Sequence, residues 1–220
     1  GFSHTLVIEK HTKRLLAFGD NSRGQVDGTL DCQSISQPVA PSFLSQEQVV
    51  TVAAGLFHSA VVLETGELVL FGGDRTGRPF VRLCTDDGSS FVRVACGRRH
   101  TVACDDRGRI WTVGDNKYGQ PGHETNSAGL GRVDLKDYDC VDVTCGWSHT
   151  IVLARDSASG SNVVFGWGRN DKGQLGTGTT NHQFASTRLF ADIEAGIESI
   201  SCGSEFTIVV DSTNTVWGCG

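Results

Sequence analysis

The sequence has no methionine and only four prolines among its 220 residues. Gly1 stands where a natural chain would begin with Met, so residues before Gly1 are expected to be missing. There is no apolar run of about 18 residues and no basic-then-apolar leader, so neither a membrane span nor a secretory signal is expected. No stretch sustains an apolar period of about 3.6 residues, and helix content should be minimal. Gly-x-Gly-x-x-Gly and Walker-type phosphate loops are missing, as is any Ser-His-Asp set in a nucleophile motif. Direct nucleotide binding, covalent catalysis and a resident cofactor are therefore not expected. The eight cysteines include no Cys-x-x-Cys pair, and no Cys/His group has zinc-finger spacing, so no metal site is expected. Free buried thiols suit a reducing compartment, the cytosol or the nucleus. Positive charge is in deficit too: 19 Lys and Arg face 25 Asp and Glu, for a net charge of −6. A protein held on nucleic acid through phosphates would usually be basic, so direct nucleic-acid binding is not expected.

Glycine, by contrast, is abundant at 28 residues, without the strict three-residue period of collagen. The glycines recur in register. One anchor reads Gly1-Phe-Ser-His4-Thr, Ala54-Gly55-Leu-Phe-His58-Ser, Cys96-Gly97-Arg-Arg-His100-Thr, Cys145-Gly146-Trp-Ser-His149-Thr and Cys202-Gly203-Ser-Glu-Phe206-Thr. Successive anchor glycines are 54, 42, 49 and 57 residues apart, so insertions fall in loops around a constant core. A second anchor follows each first one, at Phe18-Gly19, Phe71-Gly72, Val113-Gly114, Trp167-Gly168 and Cys219-Gly220. Between the two lie short apolar runs split by a turn such as Glu64-Thr-Gly66-Glu, which is the signature of a β-hairpin. A third element follows: Asp20-Asn-Ser-Arg-Gly24-Gln25, Gly73-Asp-Arg-Thr-Gly77-Arg78, Asp115-Asn-Lys-Tyr-Gly119-Gln120 and Arg169-Asn-Asp-Lys-Gly173-Gln174. Its Asn, Asp and Gly suit turns with positive φ. Short strands near Val49–Ala53 and Phe91–Ala95 lead back to the next anchor. About four strands per period of about 50 residues is the unit of a β-propeller blade.

These motifs resemble the regulator-of-chromosome-condensation repeat family, whose hallmark is Cys-Gly-x-x-His-Thr, Trp-Gly, then Asn-x-x-Gly-Gln-Leu-Gly. The fourth copy, Cys145 to Gly176, matches nearly every element, and the resemblance covers essentially the whole chain. It implies an all-β, seven-bladed propeller with four-stranded antiparallel blades. Residues 1–220 would then be one incomplete propeller domain of about four to five blades, with hairpin repeats starting near 1, 55, 97, 146 and 203. Within the family, the runs at Gly55, Gly146 and Gly203 resemble the secretion-regulating guanine-nucleotide exchange factor branch. Departures occur at Gly77-Arg78-Pro79, at Pro121 and at Phe206, which stands in a histidine slot.

Four histidines, His4, His58, His100 and His149, could suggest a metal or a general base. Equivalent positions of a ring do not converge, and Phe206 can neither ligate nor carry a proton. These histidines, with Gly55, Gly97, Gly146 and Gly203, are therefore read as blade-joining structure. Cys96, Cys145 and Cys202, each directly before an anchor glycine, are read as small buried apolar side chains. Candidate partner contacts are the outliers and loop tips: Trp147, Arg98, Arg99, Lys117, Tyr118, Arg169 and Lys172. A plant member of the family senses light through a tryptophan cluster at the Trp147 slot; one tryptophan does not make a cluster. The first functional expectation is a protein-interaction scaffold or regulator of a small GTPase or of a trafficking or signalling partner. The alternative, implied by the family, is non-covalent guanine-nucleotide exchange on such a GTPase, with Asp20, Asp74 and Asp115 as candidate acids that equally suit turn capping. A chromatin-associated propeller is a second alternative. Because Gly1 and Gly220 both fall inside a repeat, the ring should be open, and the isolated segment should expose apolar blade faces and aggregate. Size-exclusion chromatography and calorimetry check this, and a monomer that melts cooperatively would show that the blades are miscounted.

Overall fold

The computed structural model describes residues 1–73, 80–122 and 129–220. Two compact units are present, Gly1–Arg99 and His100–Gly220. The first carries β1 (His4–Ile8), β2 (Leu15–Asp20), β3 (Ser34–Val39), β4 (Val49–Ala54), β5 (His58–Leu63), β6 (Leu68–Gly72), β7 (Phe80–Leu83) and β8 (Phe91–Cys96). The second carries β9 (His100–Asp105), β10 (Ile110–Gly114), β11 (Gly131–Val133), β12 (Tyr138–Cys145), β13 (His149–Asp156), β14 (Asn162–Gly168), β15 (Gln183–Leu189), β16 (Ile197–Cys202), β17 (Thr207–Asp211) and β18 (Val216–Cys219). Among the described residues the only helical turn is a 3-10 turn at Ser42–Leu44.

The sheets are antiparallel meanders, as the hairpin spacing requires. The order β4-β5-β6-β7 makes one four-stranded sheet and β12-β13-β14-β15 another. Sheets β1-β2-β3 and β16-β17-β18 have three strands. The strand preceding an anchor glycine thus belongs to the same blade as the hairpin that follows it. His4 pairs with Gly19, His58 with Gly72 and His149 with Gly168, so the first and second anchors lie side by side at one end of each hairpin. The hairpin turns, such as residues 64–67, lie at the other end.

In β5, β9 and β13 the strand that opens the hairpin is buried on both sides over most of its length. Every residue of β9 is buried, and so are the first six of β13. Such strands read as unbroken apolar runs (Thr-Ile-Val-Leu-Ala at 150–154) because packing covers both faces and leaves none for polar alternation. In the first unit Leu15, Val49, Val61, Leu63, Val69 and Phe71 share a core, capped by Phe43 stacked on Phe80 at 4.4 Å. In the second, Ile151, Leu153, Val164, Leu175, Leu189 and Val209 do the same. Each buried Leu or Val of this kind contributes roughly 1.5–3 kcal/mol.

Three of the repeated histidines meet side-chain hydroxyls of the next blade. His4 Nε2 lies 3.0 Å from Ser59 Oγ, and that hydroxyl donates to the Gln25 carbonyl at 2.6 Å. His100 Nε2 meets Thr150 Oγ1 at 3.2 Å, and Thr150 donates to the Gln120 carbonyl at 3.0 Å. His149 Nε2 meets Thr207 Oγ1 at 3.2 Å, and Thr207 donates to the Gln174 carbonyl at 2.7 Å. A hydroxyl has one proton, and here the glutamine carbonyl takes it. The imidazole must therefore donate from Nε2–H, which assigns the neutral tautomer. Trp167 Nε1 adds a second donor to the Gln120 carbonyl at 2.7 Å. In these three cases the partner of the imidazole is a hydroxyl of the next blade.

The anchor glycines make room for the ring. A Cβ on Gly55 or Gly146 would sit 2.2 or 1.9 Å from Cε1 of His58 or His149, and one on Gly203 would sit 2.1 Å from a ring carbon of Phe206. An aromatic ring lies against the glycine in each case, which is why Phe can replace His there, although Phe206 is half exposed. The cysteines before these glycines, Cys96, Cys145 and Cys202, are half-buried rather than fully buried. Burial still pushes the Cys202 thiol up to about 12, so it is unreactive.

Two outcomes follow. Thr207→Val removes the acceptor for His149 Nε2–H and the donor to Gln174, and should cost about 1–3 kcal/mol in urea unfolding; Thr207→Ser, which reproduces the Ser59 arrangement, should cost less than half of that. Burial holds His149 at about 4, with a backbone contact at Phe206 opposing weakly. A histidine at about 6.5 in the unfolded chain takes its proton first there. Stability is therefore level above about pH 6.5 and falls between 6.5 and 4, by roughly 3 kcal/mol for this one group, in urea melts taken across that range.

Candidate functional site

The third element forms a tight turn beside the anchor loop of its own blade. Its Asn is fully buried at Asn21 and Asn170. Asn170 Nδ2 donates to Thr177 Oγ1 and to the Thr179 and Asn181 carbonyls, and its Oδ1 accepts from Leu175 N at 2.9 Å. Asn21 does the same in the first unit, accepting from Val26 N and donating to Asp27 and the Cys32 carbonyl. The Gln of the motif closes the turn from inside: Gln25, Gln120 and Gln174 accept from the backbone N of Arg23, Tyr118 and Lys172. The two turn residues just before the glycine are left on the outside, and they are the variable ones.

This frame places the candidate acids. Asp20 ends β2, accepts from Ser22 N at 3.0 Å and from Ser3 Oγ at 3.1 Å, and its carboxyl is held below the usual range first by the Ser22 backbone bond. That is the turn-capping role. Asp115 is exposed and accepts from Gln120 Nε2 at 3.4 Å, again within its own turn. Asp74, with Arg75 and the Gly77-Arg78-Pro79 departure, lies outside the described residues. Arg98 and Arg99 are exposed at the end of the first unit, where the Arg98 carbonyl accepts from Leu56 N at 3.3 Å.

In the second unit the structure brings Lys117, Tyr118 and Arg169 together. The Arg169 guanidinium lies over the Tyr118 ring at 5.5 Å, and Lys117 Nζ approaches the same ring at 5.0 Å. Arg169 is fixed in that pose by Asp171 at 2.7 Å and Glu205 at 2.9 Å. Its hydrogen bond holds the Asp171 carboxyl below the usual range. Three residues not singled out from sequence complete the cluster. His182 stands edge-on to Tyr118 at 5.1 Å, its Nδ1 accepting from Asn170 N at 3.1 Å. Phe184, 61% exposed, lies against Gly119. Glu205 reaches Arg169 from the next anchor loop. Arg169 N also donates to the Ser148 carbonyl at 2.8 Å, which sets the cluster next to Trp147. Trp147 is 38% exposed, and its backbone N donates to the Ser204 carbonyl at 2.9 Å. Lys172 is exposed on the same turn as Arg169.

The arrangement presents aromatic rings and cations at a rim, with no nucleophile aligned to a base. Among the described residues no group of three or more His, Cys, Asp or Glu is placed to hold a metal ion, and no helix is long and apolar enough to cross a membrane. The one sequence signal for Phe184 was Gly119, a glycine that permits close approach. Which residue approaches it depends on a loop of variable length.

The family model described as the regulator of chromosome condensation (RCC1) repeat matches residues 161–210, and a second with the same description matches 91–120 and 140–174. The chain belongs to the RCC1-repeat family. It is 31% identical over its whole length to 52% of the ultraviolet-B receptor UVR8 of Arabidopsis thaliana. It is 28% identical, over 79% of its length, to 39% of protein RCC2 of Homo sapiens. This RCC1-repeat chain spans about half the length or less of these relatives. All of it superposes on 56% of Prp20p from Saccharomyces cerevisiae with a TM-score of 0.81 at 20% identity. Human WBSCR16 gives a TM-score of 0.80 at 20% identity, over 96% of this chain and 56% of that one. These structures agree with the β-propeller expected from the repeat.

Gly119 has φ +82°, and a Cβ there would stand 2.8 Å from Phe184 Cα. Gly119→Ala should therefore lower stability by about 1–3 kcal/mol and push Phe184 away from Tyr118. Thermal melts and a change in Tyr118–Phe184 nuclear Overhauser contacts check this.

Proposed function

We propose that this chain is a protein-interaction propeller segment that works as a scaffold or regulator, and that the rim of its second unit carries the contact. The observation behind the reading is the cluster at Tyr118. An aromatic ring with a stacked Arg169, beside the exposed Phe184 and Trp147, is the composition of an interface hot spot: Trp, Tyr and Arg held rigid before binding. Lys172, Asp115 and Asp171 add the mixed charge of an interface rim. The relatives support this reading by kind. One is an ultraviolet-B receptor, and Prp20p has binding properties towards Gsp1p and histones. The eight free cysteines, with burial raising the Cys202 and Cys219 thiols, suit the cytosol or nucleus as its location.

Exchange on a small GTPase is the second reading. It would require acidic or wedge residues directed at the nucleotide site, whereas Asp20 and Asp115 serve their own turns. Association with chromatin would require a basic face, whereas the second unit carries nine Lys and Arg against 15 Asp and Glu. One set of measurements separates these. Small GTPases loaded with a fluorescent GDP are mixed with the full-length protein. Binding without faster release is the expected outcome, and catalytic release would establish exchange instead. A partner found in that panel should bind the Tyr118→Ala/Arg169→Ala/Phe184→Ala variant at least tenfold more weakly; equal binding would remove the rim from the account. Steep salt-dependent retention on DNA would favour chromatin.

A further inference from the structure

The hairpin that begins at the rim in the first unit ends in a cluster of cations. β1 runs from His4 to Ile8 and β2 returns from Leu15, so residues 9–14 form the tip farthest from Ser3 and Asp20. They read Glu9-Lys10-His11-Thr12-Lys13-Arg14, and all six are exposed. The tip is rigidly built. Glu9 N donates to the Arg14 carbonyl at 3.0 Å and Lys13 N to the Glu9 carbonyl at 2.9 Å, with Lys13 at φ 57°. The Thr12 hydroxyl donates to the carboxylate of Glu9, the one acid of the turn. The Lys13 carbonyl accepts from Val49 N at 2.8 Å, which ties the tip to β4.

The cations of this tip outnumber its one acid by three to one. Among the described residues, Lys10, Lys13 and Arg14 form no ion pair. Two nearby acids are engaged elsewhere: Glu47 with Arg82 at 2.8 Å, and Glu64 with the Gln48 side-chain amide at 2.8 Å. Three like charges on one turn repel one another, and an exposed turn is free to carry neutral residues instead. The first unit as a whole is neutral, with ten Lys and Arg against ten Asp and Glu, so the cluster is a local concentration and not a reflection of composition. Two exposed apolar residues flank it: Val50, 50% exposed and next to Val49, and Val7, 43% exposed on β1.

We infer that this hairpin tip is a docking site for an acidic segment of a partner protein, one that carries an apolar side chain beside its carboxylates. The alternatives fit less well. Three charges neutralise at most about three phosphates, too few for firm binding to a polyanion that the net −6 of the chain repels. An anionic membrane gains only about 1 kcal/mol per basic residue, so three cations hold it weakly. A short acidic segment needs contact only with this turn. Extended at about 3.3 Å per residue, it can set two or three carboxylates against Lys10, Lys13 and Arg14 and one apolar side chain against Val50.

The test uses the full chain and fluorescence anisotropy. The probes are a labelled peptide of Asp and Glu containing one Leu, a labelled DNA duplex, and phosphatidylserine-containing vesicles followed by co-sedimentation. The peptide should bind, with affinity falling as salt rises, and more tightly than either other probe. Lys10→Glu/Lys13→Glu/Arg14→Glu should weaken peptide binding at least tenfold, and Val50→Ser about threefold, with melting temperatures unchanged. If the reversed variant melts early, Lys10→Gln/Lys13→Gln/Arg14→Gln is read in its place and should also lose at least threefold. Unchanged peptide affinity in the charge variants overturns the inference, as does tighter binding to the duplex or the vesicles.

Discussion

Three joints between blades each depend on a single proton passed to a backbone carbonyl. The carbonyl belongs to the Gln of the glycine turn, the proton to a Ser or Thr hydroxyl of the next blade, and the hydroxyl oxygen accepts from His Nε2. Three elements distant in sequence meet there: an anchor, its own third element, and the next anchor. Removing any one leaves buried polar groups unmatched, which costs more than the bond itself gains. The joint also explains why the motif recurs as a set along the chain. His, Thr, Gln and the anchor Gly are parts of a single contact.

That joint is buried and neutral, and it makes the rest of the repeat available for variation. The turn residues just before the third-element glycine point outward in the copies closed by Gln25, Gln120 and Gln174, while the Gln holds the turn from inside. A position that is structurally free is where chemistry can differ between blades. In the second unit it holds Lys117-Tyr118 and Asp171-Lys172, and the neighbouring anchor loops add Trp147 and Glu205. Rigid backbone bonds and the ion pairs of Arg169 lock the cluster, so little side-chain freedom remains to be lost on binding. Hairpin tips at the opposite end of the strands vary in the same sense, and the cation cluster at 10–14 sits on one of them.

Turn capping and partner binding draw on the same residue types, and sequence alone did not separate them. Asp20 and Asp115 recur after the second anchor, and recurrence served the turn. The acids that do engage a neighbour, Asp171 and Glu205, occupy positions whose equivalents differ from blade to blade. Asp105 and Asp211 are a related case. Each accepts from a tryptophan indole at 2.8 Å and from the backbone of its own hairpin turn, so a pair of acids that reads as turn composition is also a side-chain lock.

The period of the glycines and apolar runs, by itself, determined the all-β class, the hairpins and the blade unit. These are local or repeated features, and repetition multiplies a weak signal. Sequence also located the loops that vary. Only tertiary structure decided which loop residues meet. The pairing of Tyr118 with His182 and Phe184, of Arg169 with Glu205, and of His149 with Thr207 links residues from separate strands and turns across loops whose lengths follow no period. Contacts of that kind are set by how blades stack on their anchors, which the identity of any one residue does not encode.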